Sequence, residues 1–212
     1  MDNVYLVLAP LAAYLLGSLA FAVIVSRVMG LTDPRTFGSG NPGATNVLRS
    51  GSKAAALVTL LLDAMKGLVP VLLVKHHGPA FGLHEGTLAL VALAAFLGHL
   101  YPVFFRFRGG KGVATFIGAV FGIDVLLGIA TGLSWLIIAY FFRYSSLASL
   151  VSAVFAPVYF LLLDRVAWSA DAPVVMALFV MALLLAWRHR ENINRLLKGT
   201  ESKIGSGKKK AA

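Results

Sequence analysis

The stretch GVATFIGAVFGIDVLLGIATGLSWLIIAYFF, residues 112–142, decides how many times this chain crosses a membrane. As one α-helix its 31 residues would extend about 46 Å, whereas the hydrocarbon core of a bilayer is about 30 Å thick. The stretch is therefore too long for one straight span. We expect it to fold back near 122–124, with a short half-span over 113–122 and a full span over 125–142.

Five further apolar runs are assigned as membrane spans on their length and composition. They lie at 4–29, 54–74, 87–105, 146–163 and 173–187. With the two segments of the 112–142 stretch, they predict an all-α, polytopic membrane protein with seven transmembrane segments. Six segments is the competing count, in which 112–142 forms a single span.

The composition agrees with a membrane protein and excludes several other classes. Of the 212 residues, 58% are hydrophobic and 13% are charged, about half the charged share of a typical soluble domain. This apolar excess is too large for one compact water-soluble core. The chain has no cysteine, which excludes disulfide frameworks, thiolate metal sites and cysteine nucleophiles.

The basic residues are distributed unequally between the connections, and this predicts the orientation. With seven segments, sixteen of the 19 Lys and Arg residues fall on one face, in 27–53, in 106–111, at Arg143 and in 188–210. Cytosolic loops are enriched in Lys and Arg, so we expect the N-terminus outside and the C-terminus in the cytosol. Six segments would split the basic clusters between the two faces.

The domain organisation expected is one transmembrane domain over 1–199 and a flexible basic tail over 200–212. The net charge of +10 lies largely in this tail and in short loop clusters, which suits anionic lipid headgroups better than a nucleic acid. We therefore expect membrane lipid, and no nucleic acid, as a partner. The first span lacks the features of a removable signal peptide and should remain a helix.

The first of three polar islands on the predicted cytosolic face is FGSGNPGATNVLR, residues 37–49. Its three glycines let successive backbone N–H groups converge on an anion, and Arg49 adds a cation. The glycine spacing matches a dinucleotide-binding fingerprint, but a membrane helix precedes it where that fold requires a strand. The alternative interpretation is a tight turn between helices.

The second island is RFRGGKG, residues 106–112, at the start of the half-span. It departs from the nucleotide P-loop, which requires glycine where Phe105 stands and Ser or Thr where Gly112 stands. Lys111 remains as a mobile charge at a helix N-terminus, a favourable place for phosphate. The alternative is a positively charged membrane anchor.

The third island is RHRENINR, residues 188–195, directly after the last span. On a helix, His189 and Asn192 are three residues apart and share a face. The connection 143–149 adds serine hydroxyls on the same side. The alternative is again a basic membrane anchor.

Three further polar residues lie within or beside the spans. Asp63 and Lys66 are three residues apart at membrane depth, where uncompensated charge is costly. A structural ion pair is the first interpretation, and a proton or ion path is the alternative. For His99 we favour a hydrogen-bonded helix histidine over a catalytic base.

The absences limit the chemistry that the islands support. The cytosolic face has only three carboxylates, Asp33, Glu191 and Glu201, and no D-x-x-D pair, so we expect no metal ion and no cofactor. A nucleophilic pair of Ser39 and His189 is a weaker alternative, because no acidic residue is evident to orient the histidine. The islands suit transfer between activated, phosphate-bearing substrates, where positioning and charge stabilisation dominate catalysis.

Three long segments resemble the signature motifs of the bacterial acyl-phosphate:glycerol-3-phosphate acyltransferases. They are GSGNPGATNVLR at 38–49, GHLYPVFFRFRGGKGVAT at 98–115 and RHRENINRLLKG at 188–199, with LDAMKG at 62–67 in addition. The resemblance implies a bacterial inner-membrane enzyme that transfers a fatty acyl group from acyl phosphate to the 1-hydroxyl of sn-glycerol 3-phosphate. The products would be lysophosphatidic acid and phosphate, and the active site would face the cytosol.

The resemblance also implies roles for single residues. Four carry catalysis: Ser39, Arg49, Lys111 and His189. Eight bind substrate: Gly40, Asn41, Gly43, Ala44, Thr45, Asn46, Ser149 and Asn192. Pro42 has no N–H and cannot donate to the phosphate cradle. We further expect association with the soluble enzyme that makes acyl phosphate.

The expected mechanism is direct attack of the hydroxyl without an acyl-enzyme, because an acyl phosphate is a mixed anhydride with a good leaving group. Either His189 or the phosphate of the substrate would accept the proton. Two other classes compete with this hypothesis. One is a phosphate or organic-anion transporter with Asp63 and Lys66 on its pathway, and the other is a membrane scaffold that recruits cytosolic partners through its tail.

Overall fold

The computed structural model describes residues 4–205, so the part of the predicted tail at 206–212 lies outside it. Within this range the regular structure is helical, apart from one isolated β-bridge between Asp164 and Trp168. The α-helices are α1 (Tyr5–Gly17), α2 (Phe21–Val28), α3 (Ala44–Leu48), α4 (Lys53–His77), α5 (Glu85–Leu100), α6 (Val113–Ile123), α7 (Val125–Phe142), α8 (Ser145–Leu162), α9 (Ala172–Arg188) and α10 (Arg190–Leu197). Short 3-10 turns follow α4 at Gly78–Phe81 and α5 at Val103–Phe105.

Several of these helices are long and apolar enough to cross a bilayer. Four do so singly, namely α4 and α5 with their 3-10 turns, α7 and α8. Two bent pairs raise the number to six, α1 with α2 at 43° and α9 with α10 at 61°, and α6 is a shorter apolar helix. The prediction of an all-helical, multi-pass membrane protein is confirmed, with four to six candidate spans.

The stretch 112–142 forms two helices, with the break where the sequence predicts it. Helix α6 ends at Ile123 and α7 begins at Val125. Asp124 between them has an extended backbone, with φ −152° and ψ 135°. Its carboxylate accepts a hydrogen bond from the backbone N–H of Leu127 at 3.0 Å, which caps the positive end of α7.

The first predicted span, 4–29, is bent rather than straight. Helix α1 ends at Gly17 and α2 begins at Phe21. In the intervening turn, the hydroxyl of Ser18 donates to the carbonyl of Tyr14 at 2.8 Å, and Nζ of Lys66 donates to the carbonyl of Leu19 at 2.7 Å. A side-chain donor that forms a hydrogen bond with a helix carbonyl interrupts the backbone hydrogen bonding there and bends the helix.

Helix α4 lies at the centre of the bundle, in contact with α1, α2, α3, α5 and α6. Its contact with α6 is close because glycines face backbone atoms on both sides. A Cβ at Gly118 of α6 would overlap the carbonyl of Ala64, and a Cβ at Gly67 of α4 would overlap the carbonyl of Thr115. Small residues of this kind let membrane helices approach to backbone contact.

The structure contains the ion pair that the first interpretation of Asp63 and Lys66 predicts. Nζ of Lys66 lies 2.8 Å from Oδ1 of Asp63, and both residues are almost completely buried. The pair lies on the face of α4 that packs against neighbouring helices. An apolar bundle tolerates these charges because they compensate each other.

Candidate active site

The three polar islands come together at one end of the helix bundle. Arg188, at the end of α9, donates from Nε to the carbonyl of Gly110 at 3.2 Å and from Nη2 to that of Gly109 at 2.8 Å. This joins the third island to the second. The first island meets the start of α8, where the hydroxyls of Thr45 and Ser145 are 3.5 Å apart. The second and third islands are therefore in contact, and the first island adjoins the start of α8.

Lys111 and Asn192 form the direct link between the second and third islands. Nζ of Lys111 donates a hydrogen bond to Oδ1 of Asn192. Lys111 precedes the first turn of α6, and Asn192 lies in the first turn of α10 with its side chain buried. Two predicted site residues that are 81 positions apart are thus in contact.

Burial of the Lys111 ammonium and, to a smaller extent, the positive charge of Arg195 lower the pKa of Lys111 to about 8. The carboxylates of Glu201 and Glu191 oppose this shift. Lys111 is therefore still mostly protonated at neutral pH, but it loses its charge at a pH where an exposed lysine keeps it.

His189 lies at the bend between α9 and α10 and is buried. Its Nδ1 is 2.8 Å from the carbonyl oxygen of Leu185. A carbonyl can only accept, so Nδ1 carries the hydrogen and Nε2 is the unprotonated nitrogen of the neutral ring. Burial lowers the pKa of His189 to about 4, although the hydrogen bond to Leu185 acts in the opposite direction. At neutral pH this side chain can accept a proton.

Asn46 holds the first island together. Its Nδ2 donates to the carbonyls of Pro34 at 2.6 Å and Phe37 at 3.1 Å, and its Oδ1 accepts from the backbone N–H of Ser39 at 3.1 Å. Nη1 of Arg49 also donates to this oxygen, at 3.4 Å. The amide of this predicted substrate-binding residue is therefore engaged within the loop, where it fixes the course of the backbone.

The backbone of the first island turns sharply at two glycines with positive φ, 60° at Gly38 and 66° at Gly40. The N–H of Gly40 already donates to the carbonyl of Phe37, and that of Gly43 donates to Asn41. Among residues 4–205, no hydrogen-bond acceptor is recorded for the backbone N–H groups of Asn41, Ala44 and Thr45. These amides are among those of the island that are available to an anion, whereas Pro42 has no N–H.

Ser39 and Arg49 lie exposed on the first island. Within the described range, no hydrogen bond connects either of them to Lys111 or His189. A nucleophilic pair of Ser39 and His189 is therefore without geometric support. Arg49 instead reaches the C-terminal segment, donating from Nη2 to the hydroxyl of Ser202 at 3.4 Å.

Glu201 is a functional candidate that the sequence analysis did not identify. Its Oε1 accepts hydrogen bonds from the hydroxyl of Ser146 and from Nδ2 of Asn192, each at 2.6 Å. Its Oε2 accepts from Nε of Arg195 at 2.7 Å. Burial opposes ionisation of Glu201, but these hydrogen bonds outweigh it and lower the pKa of the carboxyl. The side-chain amide of Asn192 is thus held between Glu201 and Lys111.

The segment that contains Glu201 packs against the helix ends instead of projecting from them. Arg143 donates from Nη2 to the carbonyl of Ile204 at 2.9 Å, and Ile204 donates from its backbone N–H to the carbonyl of Arg143 at 2.6 Å. The sequence predicts a flexible tail from residue 200, so its first residues make contacts that composition does not indicate. The only sequence signal is a carboxylate in a strongly basic stretch.

Of the two serines in the 146–149 element, Ser146 reaches this cluster through Glu201. The hydroxyl of Ser149, which the sequence analysis favours, donates to the carbonyl of Ser145 at 2.7 Å and accepts from Nε1 of Trp135 at 3.1 Å. The hydroxyl hydrogen of Ser149 is therefore already donated within α8, and its oxygen already accepts from α7. A substrate contact of Ser149 stays a prediction.

The arrangement is suited to anions. Among residues 4–205, no three His, Asp or Glu side chains come together as metal ligands. The end of the bundle presents the cations Lys111, Arg49 and Arg195, the open amides of the first island and a neutral histidine. Such a set stabilises the negative charge of phosphate and accepts a proton from an attacking hydroxyl.

Comparison with protein families gives one match that covers most of the chain, to the glycerol-3-phosphate acyltransferase family over residues 7–199. Glycerol-3-phosphate acyltransferase of Albidiferax ferrireducens is 64% identical over 205 residues, covering 97% of this chain and 92% of that protein. The enzyme of the same name from Burkholderia orbicola strain MC0-3 is 58% identical over 207 residues, covering 98% and 97%.

Two crystal structures of PlsY (YgiH), an integral membrane glycerol 3-phosphate acyltransferase, share this fold. The glycerol 3-phosphate form matches with a TM-score of 0.84 and 40% identity, and the lysophosphatidic acid form with 0.83 and 39%. Each match covers 95% of this chain and 96% of the other. Neither comparison supports the transporter hypothesis. The chain belongs to the family of integral-membrane glycerol-3-phosphate acyltransferases.

Proposed function

We propose that this chain transfers a fatty acyl group from acyl phosphate to the 1-hydroxyl of sn-glycerol 3-phosphate, giving lysophosphatidic acid and inorganic phosphate for phospholipid biosynthesis. The observation that carries the proposal is the contact of Lys111 with Asn192, which joins the second and third islands. Glycerol 3-phosphate and lysophosphatidic acid are also the molecules named for the two PlsY structures. One cytosolic site would thus take a phosphate-bearing acceptor and a phosphate-bearing donor.

An acyl phosphate donor suits the side chains at this site. The hydroxyl oxygen attacks the acyl carbonyl carbon, an ester bond forms, and the carbon–oxygen bond to phosphate breaks. The phosphate leaves with the electron pair, and Lys111, Arg49 and the amides of the first island stabilise its charge. No acyl-enzyme is required, which agrees with the absence of geometric support for a Ser39 nucleophile.

The proton of the hydroxyl goes to His189 in this proposal. Its neutral ring, with Nδ1–H bound to Leu185, leaves Nε2 as the acceptor. The phosphate of the substrate is the alternative acceptor. Ser39, Asn192 and the first-island residues 40–46 bind the substrates, and Glu201 maintains the orientation of Asn192.

The proposed topology has seven membrane segments, with α6 as the short one. The N-terminus would lie outside the bacterial inner membrane and the site in the cytosol. Two features support it: α6 and α7 are separate helices, and the basic islands meet at one end of the bundle.

Residues 1–199 would form one acyltransferase domain, and residues 206–212 would bind anionic lipid. Association with the soluble enzyme that makes acyl phosphate belongs to the same proposal.

The donor can be tested with purified protein in detergent, without added metal. Acyl phosphate and glycerol 3-phosphate should give lysophosphatidic acid and phosphate in equal amounts, measured by mass spectrometry and a phosphate assay. Lys111→Met, which removes the charge at similar volume, should lower kcat/KM by about 10²- to 10³-fold. Acyl transfer from acyl-CoA, with no transfer from acyl phosphate, would overturn the proposed donor.

Lys111 makes activity dependent on pH in the alkaline range. Its pKa of about 8 predicts that kcat/KM falls as pH rises from 7 to 9, because the ammonium loses the proton that stabilises phosphate. The second pKa of a phosphate monoester is about 6, so the substrate is already mostly dianionic at pH 7 and contributes little to this change. In Lys111→Arg the cation persists, and the alkaline fall should disappear. A fall at the same pH in both proteins would contradict the role of Lys111.

His189→Gln tests the proton acceptor. Glutamine retains an N–H group for the carbonyl of Leu185 but has no basic nitrogen, so kcat should fall about 10²-fold or more with little change in KM. Arg190→Gln, at an exposed neighbouring residue, should leave kcat within twofold of wild type. Near-normal kcat in His189→Gln would assign the proton to the phosphate of the substrate.

The cysteine-free chain allows a direct test of the span count. Ser50→Cys lies after α3, and Ser169→Cys lies between α8 and α9, both at exposed positions. Seven segments place these residues on opposite faces, and six place them on the same face. A membrane-impermeant thiol reagent should label Ser169→Cys in intact cells and Ser50→Cys only after permeabilisation. Equal labelling of both in intact cells would contradict seven segments.

A further inference from the structure

A buried polar cluster in the bundle has no part in the mechanism described above. It consists of Asp63 and Lys66 on α4 and His99 near the end of α5, which are 3%, 2% and 7% exposed. Nζ of Lys66 is 2.8 Å from Oδ1 of Asp63, and Nδ1 of His99 is 3.5 Å from the same oxygen. Charged and titratable groups at membrane depth are costly and are usually retained for function.

His99 connects this cluster to the loop that carries Lys111. The carbonyl of His99 accepts a hydrogen bond from the backbone N–H of Gly110 at 3.1 Å. The imidazole lies against the same glycine, because a Cβ at Gly110 would overlap Nε2 of His99. A Cβ at Gly109 would overlap the carbonyl oxygen of His99. The two residues before Lys111 therefore rest directly on His99.

Asp63 connects the cluster to the helix turn that follows Lys111. The hydroxyl of Thr115, in the first turn of α6, donates to the backbone carbonyl of Asp63 at 2.9 Å. Gly67 of α4 also lies against the carbonyl of Thr115, so the same turn packs directly on α4. The chain is thus held on both sides of Lys111. Before it, Gly110 binds the carbonyl of His99, and after it, Thr115 binds the carbonyl of Asp63.

We propose that Asp63 and His99 are positioning residues that hold Lys111 toward Asn192 and the phosphate of the substrate. Electrostatic attraction across the 3.5 Å between Oδ1 of Asp63 and Nδ1 of His99 orients the imidazole, and the imidazole supports the backbone at Gly110. Lys66 supplies the counter-charge that lets a carboxylate exist there, and its bond to the Leu19 carbonyl at 2.7 Å holds it in place. The inference rests on the proposed role of Lys111 in binding phosphate.

The competing explanation is that the ion pair only stabilises the fold. The two explanations differ in what they predict when both charges are removed together. A buried ion pair can often be replaced by uncharged residues of similar volume without loss of stability, whereas removal of one partner alone is strongly destabilising. A catalytic group displaced by about 1 Å, however, can lose about 10²-fold in rate. Stability and substrate binding therefore separate the two roles.

The variant that separates them is Asp63→Asn with Lys66→Met in one chain. Asp63→Asn alone leaves an unpaired buried ammonium and should lower the Tm in detergent, whereas the double variant should recover most of the loss. If Asp63 is a positioning residue, kcat/KM of the double variant should stay about 10- to 100-fold below wild type. Recovery of kcat/KM together with Tm would overturn the proposal. His99→Asn should reproduce the kinetic loss.

A double-mutant cycle with Lys111→Met tests whether the effect passes through Lys111. Its readout is the Kd for glycerol 3-phosphate and for inorganic phosphate, measured by calorimetry on the full chain in detergent. These ligands require no acyl donor, so the cycle is independent of the proposed acyl phosphate. With Lys111→Met present, Asp63→Asn with Lys66→Met should change Kd by less than about twofold. Multiplicative losses would contradict action through Lys111.

The cycle distinguishes two failures: that Lys111 does not bind phosphate, and that Asp63 and His99 do not position Lys111. If Lys111→Met weakens neither ligand, Lys111 does not bind phosphate and both inferences fall. If Lys111→Met weakens a ligand but the losses multiply, only the positioning role of Asp63 and His99 falls.

Thr59→Val is the matched control on α4. Thr59 is fully buried one turn before Asp63, and its hydroxyl has no hydrogen-bond partner among residues 4–205. Because no hydrogen bond connects its hydroxyl to the Lys111 loop, Kd and kcat/KM should remain within twofold of wild type. A loss equal to that of the double variant would show a general sensitivity of this face of α4 and would overturn the specific role of Asp63.

Discussion

A pair of opposite charges inside the helix bundle connects the parts of this fold. Asp63 and Lys66, 2.8 Å apart on α4, occupy a place where one unpaired charge would cost about 3 to 5 kcal/mol. Lys66 also binds the carbonyl of Leu19, where α1 bends into α2. Asp63 contacts Thr115 of α6 through its own carbonyl. The course of α1–α2 and the start of α6 are therefore both set relative to one turn of α4.

The candidate site at the three polar islands adds connections of its own to this framework. Asn46 organises the first island, Arg188 secures the second, and Glu201 holds Asn192 in the third. The contacts of Arg188 with Gly110 and of Glu201 with Ser146 join segments that are distant in the chain, whereas Asn46 binds residues of its own loop. A phosphate group would then meet cations and N–H donors already in position, which is the arrangement that stabilises developing charge most effectively.

Much of this organisation could be predicted locally. The break at Asp124 follows from the length of an apolar run relative to a bilayer and from a carboxylate suited to an N-cap. The shared face of His189 and Asn192 follows from helical spacing. The bend after Gly17 was missed, since apolarity is continuous through 4–29 and a lysine from another helix helps to cause the bend. Glu201 was also missed as the shared partner of Asn192 and Ser146, because it lies in no pattern that indicates a contact.

The sequence by itself determined the membrane class, the polar islands and the family, because hydropathy, charge and ordered motifs can be read along the chain. Only the tertiary structure decided which side chains meet: Lys111 with Asn192, Glu201 with Ser146, and His99 with the loop before Lys111. These contacts depend on how α4, α5, α6 and α8 to α10 pack. Packing brings together groups that no sequence spacing relates, and it buries Lys111 and His189 enough to change their proton affinities.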